Sequence, residues 1–285
     1  MVMSEAVGRL SDRYFRSIAE LIEGEVGIRL PAVKRLMLEG RLQKRVRALD
    51  FSCVNEYAER LFSDGLLETE FVHLIDCVTT NKTDFFREPS HFEFLRNVAV
   101  RELLRHRGRD RLLKVWSAAS STGMEAYTAA IVLDDMVRNG QAFEFRILGT
   151  DISTHVLRLA QAGIYTREMV EPVPPELARR YFMRSKDPRR AEVRVVPELR
   201  RLVKFMRMNL MDPVYPIDHD VDIIFCRNVL IYFDKAIQNK VVDRLCDHLR
   251  PGGYLLVGHS ESMVQQGAPR LKQVHPTIFK VEGRS

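Results

Sequence analysis

The sequence predicts an α/β protein preceded by an all-helical region. Three observations carry this. Residues 1–90 place apolar side chains at three- and four-residue spacing, the signature of packed helices. From residue 91 on, short apolar runs alternate with amphipathic stretches, as in a doubly wound, mostly parallel sheet. Within that second part, residues 181–208 carry further β-like runs after a proline cluster, which predicts a small inserted antiparallel β-subdomain.

The elements follow in order. Ser11 is placed to cap a helix carrying Tyr14, Phe15, Ile18, Leu21 and Ile22 on one face. Pro31 suits the first turn of the next helix, whose stripe is Leu38, Leu42, Val46 and Leu49. Ser52 is placed to cap a third helix with Val54, Tyr57 and Leu61. "LLETEFVHLIDCV" makes a fourth, with Leu67, Phe71, Leu74, Ile75 and Val78 together. Ser90 and Glu93 form an S-x-x-E capping box, so a helix is expected just past Pro89. "LLKVWSAA" reads as a strand, "TGMEAYTAAIVLDDMV" as a helix, "FRILGTD" as a strand and "STHVLRLAQAG" as a helix capped by Ser153. Glu192–Val196 and Leu202–Met208 look like an inserted hairpin. "VDIIFCRN" is a strand, "DKAIQNKVVDRLCDHL" a helix, and "YLLVGHS" and "TIFKVE" two closing strands able to pair antiparallel.

Composition narrows the class. With 285 residues, 46% hydrophobic and 29% charged, the chain is an ordinary globular protein of one large domain or two smaller ones. No apolar run approaches the roughly 20 residues of a membrane helix, and "MVMSEAVGRL" is no secretory leader, so a cytoplasmic location is expected. Four scattered cysteines suggest neither a disulfide framework nor a zinc site. The net charge of +6 favours an acidic partner without choosing among nucleic acid, membrane and protein.

The chemistry-bearing stretches sit at predicted strand ends. In "VWSAASSTGMEAYTAA" a strand runs through small residues into a helix, where a nucleotide-type cofactor binds in open α/β folds. Only Gly123 is present, so the dinucleotide fingerprint is absent, and a plain strand–helix turn accounts for the stretch equally well. Asp151 ends the next strand, 28 residues after Gly123, where a carboxylate accepts from ribose hydroxyls; helix capping is the alternative, although Ser153 is better placed for it. Arg227 and Asn228 end the strand "VDIIFCRN", and Tyr232 follows as either core or crevice. "GHSES" fails as a nucleophile elbow, because its fifth residue is Ser262 and no aspartate follows. His259 has no metal partner at useful spacing, and no metal is expected.

Taken together, "TNKTDFFREPSHF", "WSAASSTGMEAYTAA", "GTDIS", "QAGIYT", "RRYFMR", "FCRNVLIYFD" and "LRPGGYLLVGHSES" resemble the CheR family of chemoreceptor glutamate O-methyltransferases, in order and over nearly the whole chain. The resemblance implies a helical receptor-docking domain with its linker (1–90) joined to a class I Rossmann-like S-adenosylmethionine methyltransferase domain (91–285). It implies S-adenosylmethionine as donor and receptor glutamates as acceptors. It assigns Asn81, Thr83 and Arg87 to the cofactor pocket, Glu125 to the cofactor's polar end, Asp151 to the ribose, and Asn209 and Leu210 to the adenine side. Arg227 and Asn228 follow, and Arg87 with Tyr232 flanks the transferring methyl. The family pattern Gly-Glu-Glu-Pro-Tyr is here Gly123-Met124-Glu125-Ala126-Tyr127. The segment "NKTDFFRE" becomes a lid-like strap, held by burial of Phe85 and Phe86.

Two basic regions complete the reading. Lys34, Arg35, Arg41, Lys44, Arg45 and Arg47 give the second helix one dominant sign, which suggests a docking surface; in the family this region faces acidic methylation helices. The β-subdomain carries Arg184, Lys186, Arg189, Arg190, Arg194, Arg200, Arg201, Lys204 and Arg207. Family members that bind a receptor-tail pentapeptide have a glycine-rich turn there, whereas "RSKDPRRAE" has no glycine, so no tether is expected. A monomer is expected. The alternatives are a nucleic-acid methyltransferase, which the charge permits but no Asp/Asn-Pro-Pro-Tyr/Phe pocket supports, and a non-catalytic cofactor sensor.

Overall fold

The structure, a computed structural model, describes residues 9–105, 111–187, 189–261 and 270–282. Ser262 and the N-terminal octapeptide lie outside the described residues. The chain divides into two compact units: residues 1–80 with Tyr232–Asp234, and residues 81–231 with 235–285.

The first unit holds α1 (Asp12–Val26), α2 (Arg35–Ala48), α3 (Val54–Ser63) and α4 (Leu67–Val78). Its core is the set of helical stripes: Phe15, Ile18 and Ile22, then Leu38, Leu42 and Val46, then Tyr57 and Leu61, then Leu74 and Ile75. Ser11 caps α1 by accepting from the Tyr14 N–H. Ser52 does not cap α3; Cys53 holds that position, and the Glu56 carboxylate reaches back to the Ser52 N–H and hydroxyl at 2.7 and 2.6 Å.

The basic stripe of α2 is not all free surface, which corrects the sequence reading. Arg35 bonds the Asp12 carboxylate and the Leu10 carbonyl. Arg41 Nη1 donates to the Cys77, Val78 and Thr79 carbonyls at 3.1, 3.3 and 2.8 Å, where α4 ends with orphan acceptors. Arg45 grips the buried Glu70 carboxylate at 2.8 and 2.6 Å. A guanidinium reaches these acceptors because its donors form a planar fork. Lys44 and Arg47 remain exposed, and Lys34 lies over the Tyr232 ring at 5.5 Å.

The second unit opens on the strap Asn81–Glu88. It continues with α5 (Pro89–Phe94), a π-helical turn (Leu95–Ala99) and α6 (Val100–Arg105). Then come β1 (Leu112–Ala118), α7 (Met124–Arg138), β2 (Glu144–Asp151), α8 (Thr154–Ala162), β3 (Ile164–Thr166), α9 (Arg167–Val170) and α10 (Pro175–Tyr181). β4 (Phe182–Arg184), β5 (Glu192–Val195), α11 (Pro197–Arg200), β6 (Val203–Arg207) and β7 (Val221–Cys226) follow. α12 (Lys235–His248), β8 (Leu249–Val257), β9 (Leu271–His275) and β10 (Ile278–Val281) complete it.

Seven strands form one sheet in the order β6-β2-β1-β7-β8-β10-β9; the first five are parallel and the last two join antiparallel. This is the predicted doubly wound sheet, and the two closing strands expected to pair antiparallel, β8 and β10, do so; the edge strand β9 is one the sequence reading did not assign. A second, three-stranded antiparallel sheet has the order β3-β5-β4. The inserted hairpin is corrected. Glu192–Val195 centres the small sheet, whereas Val203–Arg207 pairs in parallel with β2 at the edge of the large one. The two runs are adjacent in sequence, but α11 turns the chain between them.

The capping box before α5 is also corrected. Glu88, in the left-handed region at φ 56°, occupies the N-cap without a side-chain cap bond, and Ser90 lies inside the helix. Pro89 at the first helical position starts it instead, since its missing N–H is one the helix would leave unbonded. α7 packs on β1, β2 and β6 and is buried on most of its faces, as is Trp116 in β1.

Candidate active site

Chain order reverses between β1 and β7. From β1 the chain moves outward through β2 to β6, then returns to the other side at β7 and β8. The C-terminal ends of strands flanking such a point frame the ligand crevice of open α/β sheets. Four segments meet there.

The first is the β1–α7 loop. Ala119 (φ 58°), Ser121 (φ 51°) and Gly123 (φ 84°) are all left-handed. A Cβ at Gly123 would lie 2.8 Å from Ala160 Cβ and 2.9 Å from the Phe205 ring, so neither the backbone nor the space admits another residue. The second segment is the end of β2. Asp151 is buried and accepts the Ser121 N–H at 2.9 Å and the Ser153 N–H at 3.0 Å. It braces the first loop while Ser153 caps α8 as expected. In the same loop the Ser120 and Thr122 hydroxyls are buried and have no hydrogen-bond partner among the described residues.

The third segment is the strap. Phe85 is buried edge-on between Tyr165 and Phe182, 5.0 and 5.3 Å between ring centres. The Phe86 N–H donates to Thr128 Oγ1, the Asn81 carbonyl accepts from Ser121 Oγ at 2.9 Å, and Arg87 Nη1 turns back to the Lys82 carbonyl at 3.1 Å. The fourth is the end of β7. Arg227 is buried and its guanidinium joins Glu125 (Nη1–Oε2, 3.1 Å) to Glu88 (Nη2–Oε2, 3.1 Å), while also donating to the Arg87 carbonyl. Ser117 Oγ completes Glu125 at 2.6 Å.

Burial raises the Glu125 carboxyl above its ordinary range despite Arg227 and Ser117. Burial also works against ionised Glu88, but Arg227, the His259 N–H and the Asn228 amide together outweigh it and hold that carboxyl low.

Strain concentrates here. Of the seven non-glycine residues with positive φ among the described residues, Phe86, Glu88, Ala119, Ser121 and Asn228 all belong to these four segments. Each costs on the order of 1–3 kcal/mol and persists only where surrounding bonds hold it.

Two bonded sets result: Asn81, Ser121 and Asp151 form one, and Arg87, Glu88, Glu125, Arg227 and Asn228 form the other. Asn209 sits in a local turn, its Oδ1 accepting the Met211 N–H, and Leu210 is buried behind it with its carbonyl on the Tyr215 hydroxyl. Met208 N–H donates to the Asp151 carbonyl, which brings this turn to the end of β2. Thr83 is half-buried in the strap. Tyr232 clusters with the helical unit, where its carbonyl accepts from the Arg29 N–H.

Sequence reasoning missed Ser117, Glu88 and Glu261. It also judged His259 by spacing along the chain. In space, Glu88, His91 and His259 bring ligand-type atoms within 4.8 Å of one another. Glu88 Oε2 in that group already carries the Arg227 guanidinium.

A parallel sheet of this order, with a braced strand–helix loop and a buried carboxylate at the next strand end, has the layout of a nucleotide-type cofactor site in an open α/β fold. The comparisons with known proteins make this specific. Residues 81–278 match "CheR methyltransferase, SAM binding domain" and residues 13–79 match "CheR methyltransferase, all-alpha domain". The chain belongs to the CheR methyltransferase family. It is 39% identical over 265 residues to "Chemotaxis protein methyltransferase 2" of Pseudomonas aeruginosa, covering 93% of this chain and 91% of that one. It is 41% identical over 256 residues to the "Chemotaxis protein methyltransferase" of Klebsiella aerogenes (90% and 85%), and 39% over 253 residues to that of Escherichia coli K12 (89% and 85%). Among the described residues no helix is long and apolar enough to cross a membrane.

Proposed function

We propose that this protein transfers a methyl group from S-adenosylmethionine to glutamate side-chain carboxylates of chemoreceptors, giving glutamate methyl esters and S-adenosylhomocysteine. Near-full-length similarity to chemotaxis protein methyltransferases carries this reading. The crevice fits the cofactor: the buried Ser120 and Thr122 hydroxyls and the carboxylate of Asp151 stand at the loop where a nucleoside would lie. Asn81, Thr83, Arg87, Asp151, Asn209, Leu210 and Asn228 hold it. Glu125 and Arg227 act through the ion pair that sets the loop ends.

When bound, S-adenosylmethionine supplies a sulfonium-activated methyl group. The acceptor glutamate, with an ordinary pKa of about 4.3, is already ionised at neutral pH, so no strong general base is required. The protein's task is alignment and exclusion of water, and orientation of this kind is worth about 7–11 kcal/mol. Arg87 orients one carboxylate oxygen, and Tyr232 positions the acceptor. The helical domain docks the receptor's methylation helices through Lys44, Arg47 and Lys34, without a pentapeptide tether. The protein acts as a cytoplasmic monomer.

Incubation with tritiated S-adenosylmethionine and receptor-rich bacterial membranes tests the function. Base-labile methyl esters are expected. Methylated RNA in place of esters would replace the reading by a nucleic-acid methyltransferase, and cofactor binding without transfer by a sensor. Arg87→Ala and Tyr232→Phe are each expected to lower kcat at least about tenfold, since each removes orientation of the acceptor. Unchanged turnover in both would remove them from the reacting centre.

A further inference from the structure

Glu261 lies beyond the end of β8, outside every stretch assigned above to the cofactor or the acceptor. It is 6% exposed. Its Oε2 accepts the Asn228 N–H at 2.8 Å and the Gly258 N–H at 2.7 Å, and its Oε1 accepts the Ile231 N–H at 3.3 Å. One carboxylate therefore gathers backbone donors from the segments following β7 and β8, two adjacent parallel strands. Where parallel strands end and diverge, their next N–H groups lose the sheet as a partner, and buried donors need another.

The fit around this carboxylate is closed. A Cβ on Gly258 would lie 2.5 Å from Asn228 Nδ2 and 2.8 Å from Glu261 Oε2. Asn228 is left-handed at φ 60°, and its side-chain amide reaches Glu88 Oε1 at 3.4 Å on the other side. The Asn228 backbone is thus fixed by one carboxylate and its side chain by another, next to the Arg227 ion pair.

We propose that Glu261 is a positioning residue: its carboxylate sets the Asn228–Ile231 segment in the conformation that receives the cofactor. This deepens the function proposed above and rests on it. Glutamine at 261 keeps the volume but turns an –NH2 donor toward backbone N–H donors, so the segment relaxes.

Calorimetric titration of the full chain with S-adenosylhomocysteine tests this. Glu261→Gln is expected to weaken binding at least about tenfold, with Glu261→Asp intermediate, because a charged acceptor of several N–H groups is lost or shortened. Glu70→Gln, which disturbs a buried carboxylate in the helical unit, serves as the control: it lowers the melting temperature while leaving binding within about twofold of the native protein. No binding by the native protein would overturn the methyltransferase reading itself. Native binding with Glu261→Gln within twofold would overturn only the role given to Glu261. If the glutamine variant fails to fold, Glu261→Asp carries the same test, and native affinity there would overturn the role.

Discussion

Arg227 and Glu125 form a buried ion pair, Nη1 to Oε2 at 3.1 Å, between the end of β7 and the first turn of α7. Glu88 takes the other side of the same guanidinium. Such an assembly is weak evidence for net stability, but removing one member leaves uncompensated buried charge. Arg227→Met is expected to cost about 3–5 kcal/mol in urea unfolding, because two carboxylates lose their counter-ion. It is also expected to abolish measurable S-adenosylhomocysteine binding. Native unfolding midpoint and affinity together would contradict this account of the crevice.

Asp151 holds two N–H groups from two different loops. Asp151→Ala leaves both without an acceptor and removes the group proposed for the ribose. The KM for S-adenosylmethionine should rise at least about tenfold, with kcat less affected, and Asp151→Asn should fall between. Initial-rate kinetics over a range of cofactor concentrations separates the two parameters.

His91 introduces a pH dependence of stability. Burial, followed by the nearby Arg227 charge, lowers its pKa from 6.5 to about 3. The folded state keeps the imidazole neutral where the unfolded chain would protonate it. The unfolded state therefore binds more protons between about 3 and 6.5, and stability rises with pH across that window. The contribution is complete above pH 6.5 and is lost as pH falls toward 3. His91→Gln should flatten the slope of unfolding free energy against pH between 6.5 and 4 relative to the native protein. Parallel slopes would show that other groups govern acid sensitivity.

The basic helix α2 divides into structural and free charges. Lys44→Glu with Arg47→Glu should slow receptor methylation by at least about tenfold while changing stability by less than about 0.5 kcal/mol per site. Arg45→Ala should do the reverse to stability, costing about 3–5 kcal/mol by stranding the Glu70 carboxylate. Thermal unfolding alongside methylation rates distinguishes the two groups. A receptor interaction indifferent to Lys44 and Arg47 would move the docking surface elsewhere.

Much of the fold was legible in sequence because its signals are local. The period of three to four residues in α1–α4, the alternation of strands and helices beyond residue 91, and the caps at Ser11 and Ser153 all report on neighbours a few residues apart. The polar residues at strand ends, Asp151, Arg227 and Asn228, were also visible, since a buried apolar run that stops on a polar residue marks a crevice edge. The family pattern added the roles. Pro89, in contrast, was overshadowed by a Ser90–Glu93 box that the structure does not use.

The remainder depends on groups brought together from far apart along the chain. Residues 203–207 pair with β2 and not with β5, because β3 and β4 already occupy both edges of β5, and no local pattern reports that. Arg45 meets Glu70, Arg227 meets Glu88 and Glu125, and Glu261 meets the Asn228 N–H only in three dimensions. A charge or an N–H removed from water must find its partner within hydrogen-bond distance, wherever in the chain that partner lies. The sequence by itself therefore determined the class of fold and the edge of the site. Only the tertiary structure decided which charges remain free to meet a partner and which hold the molecule together.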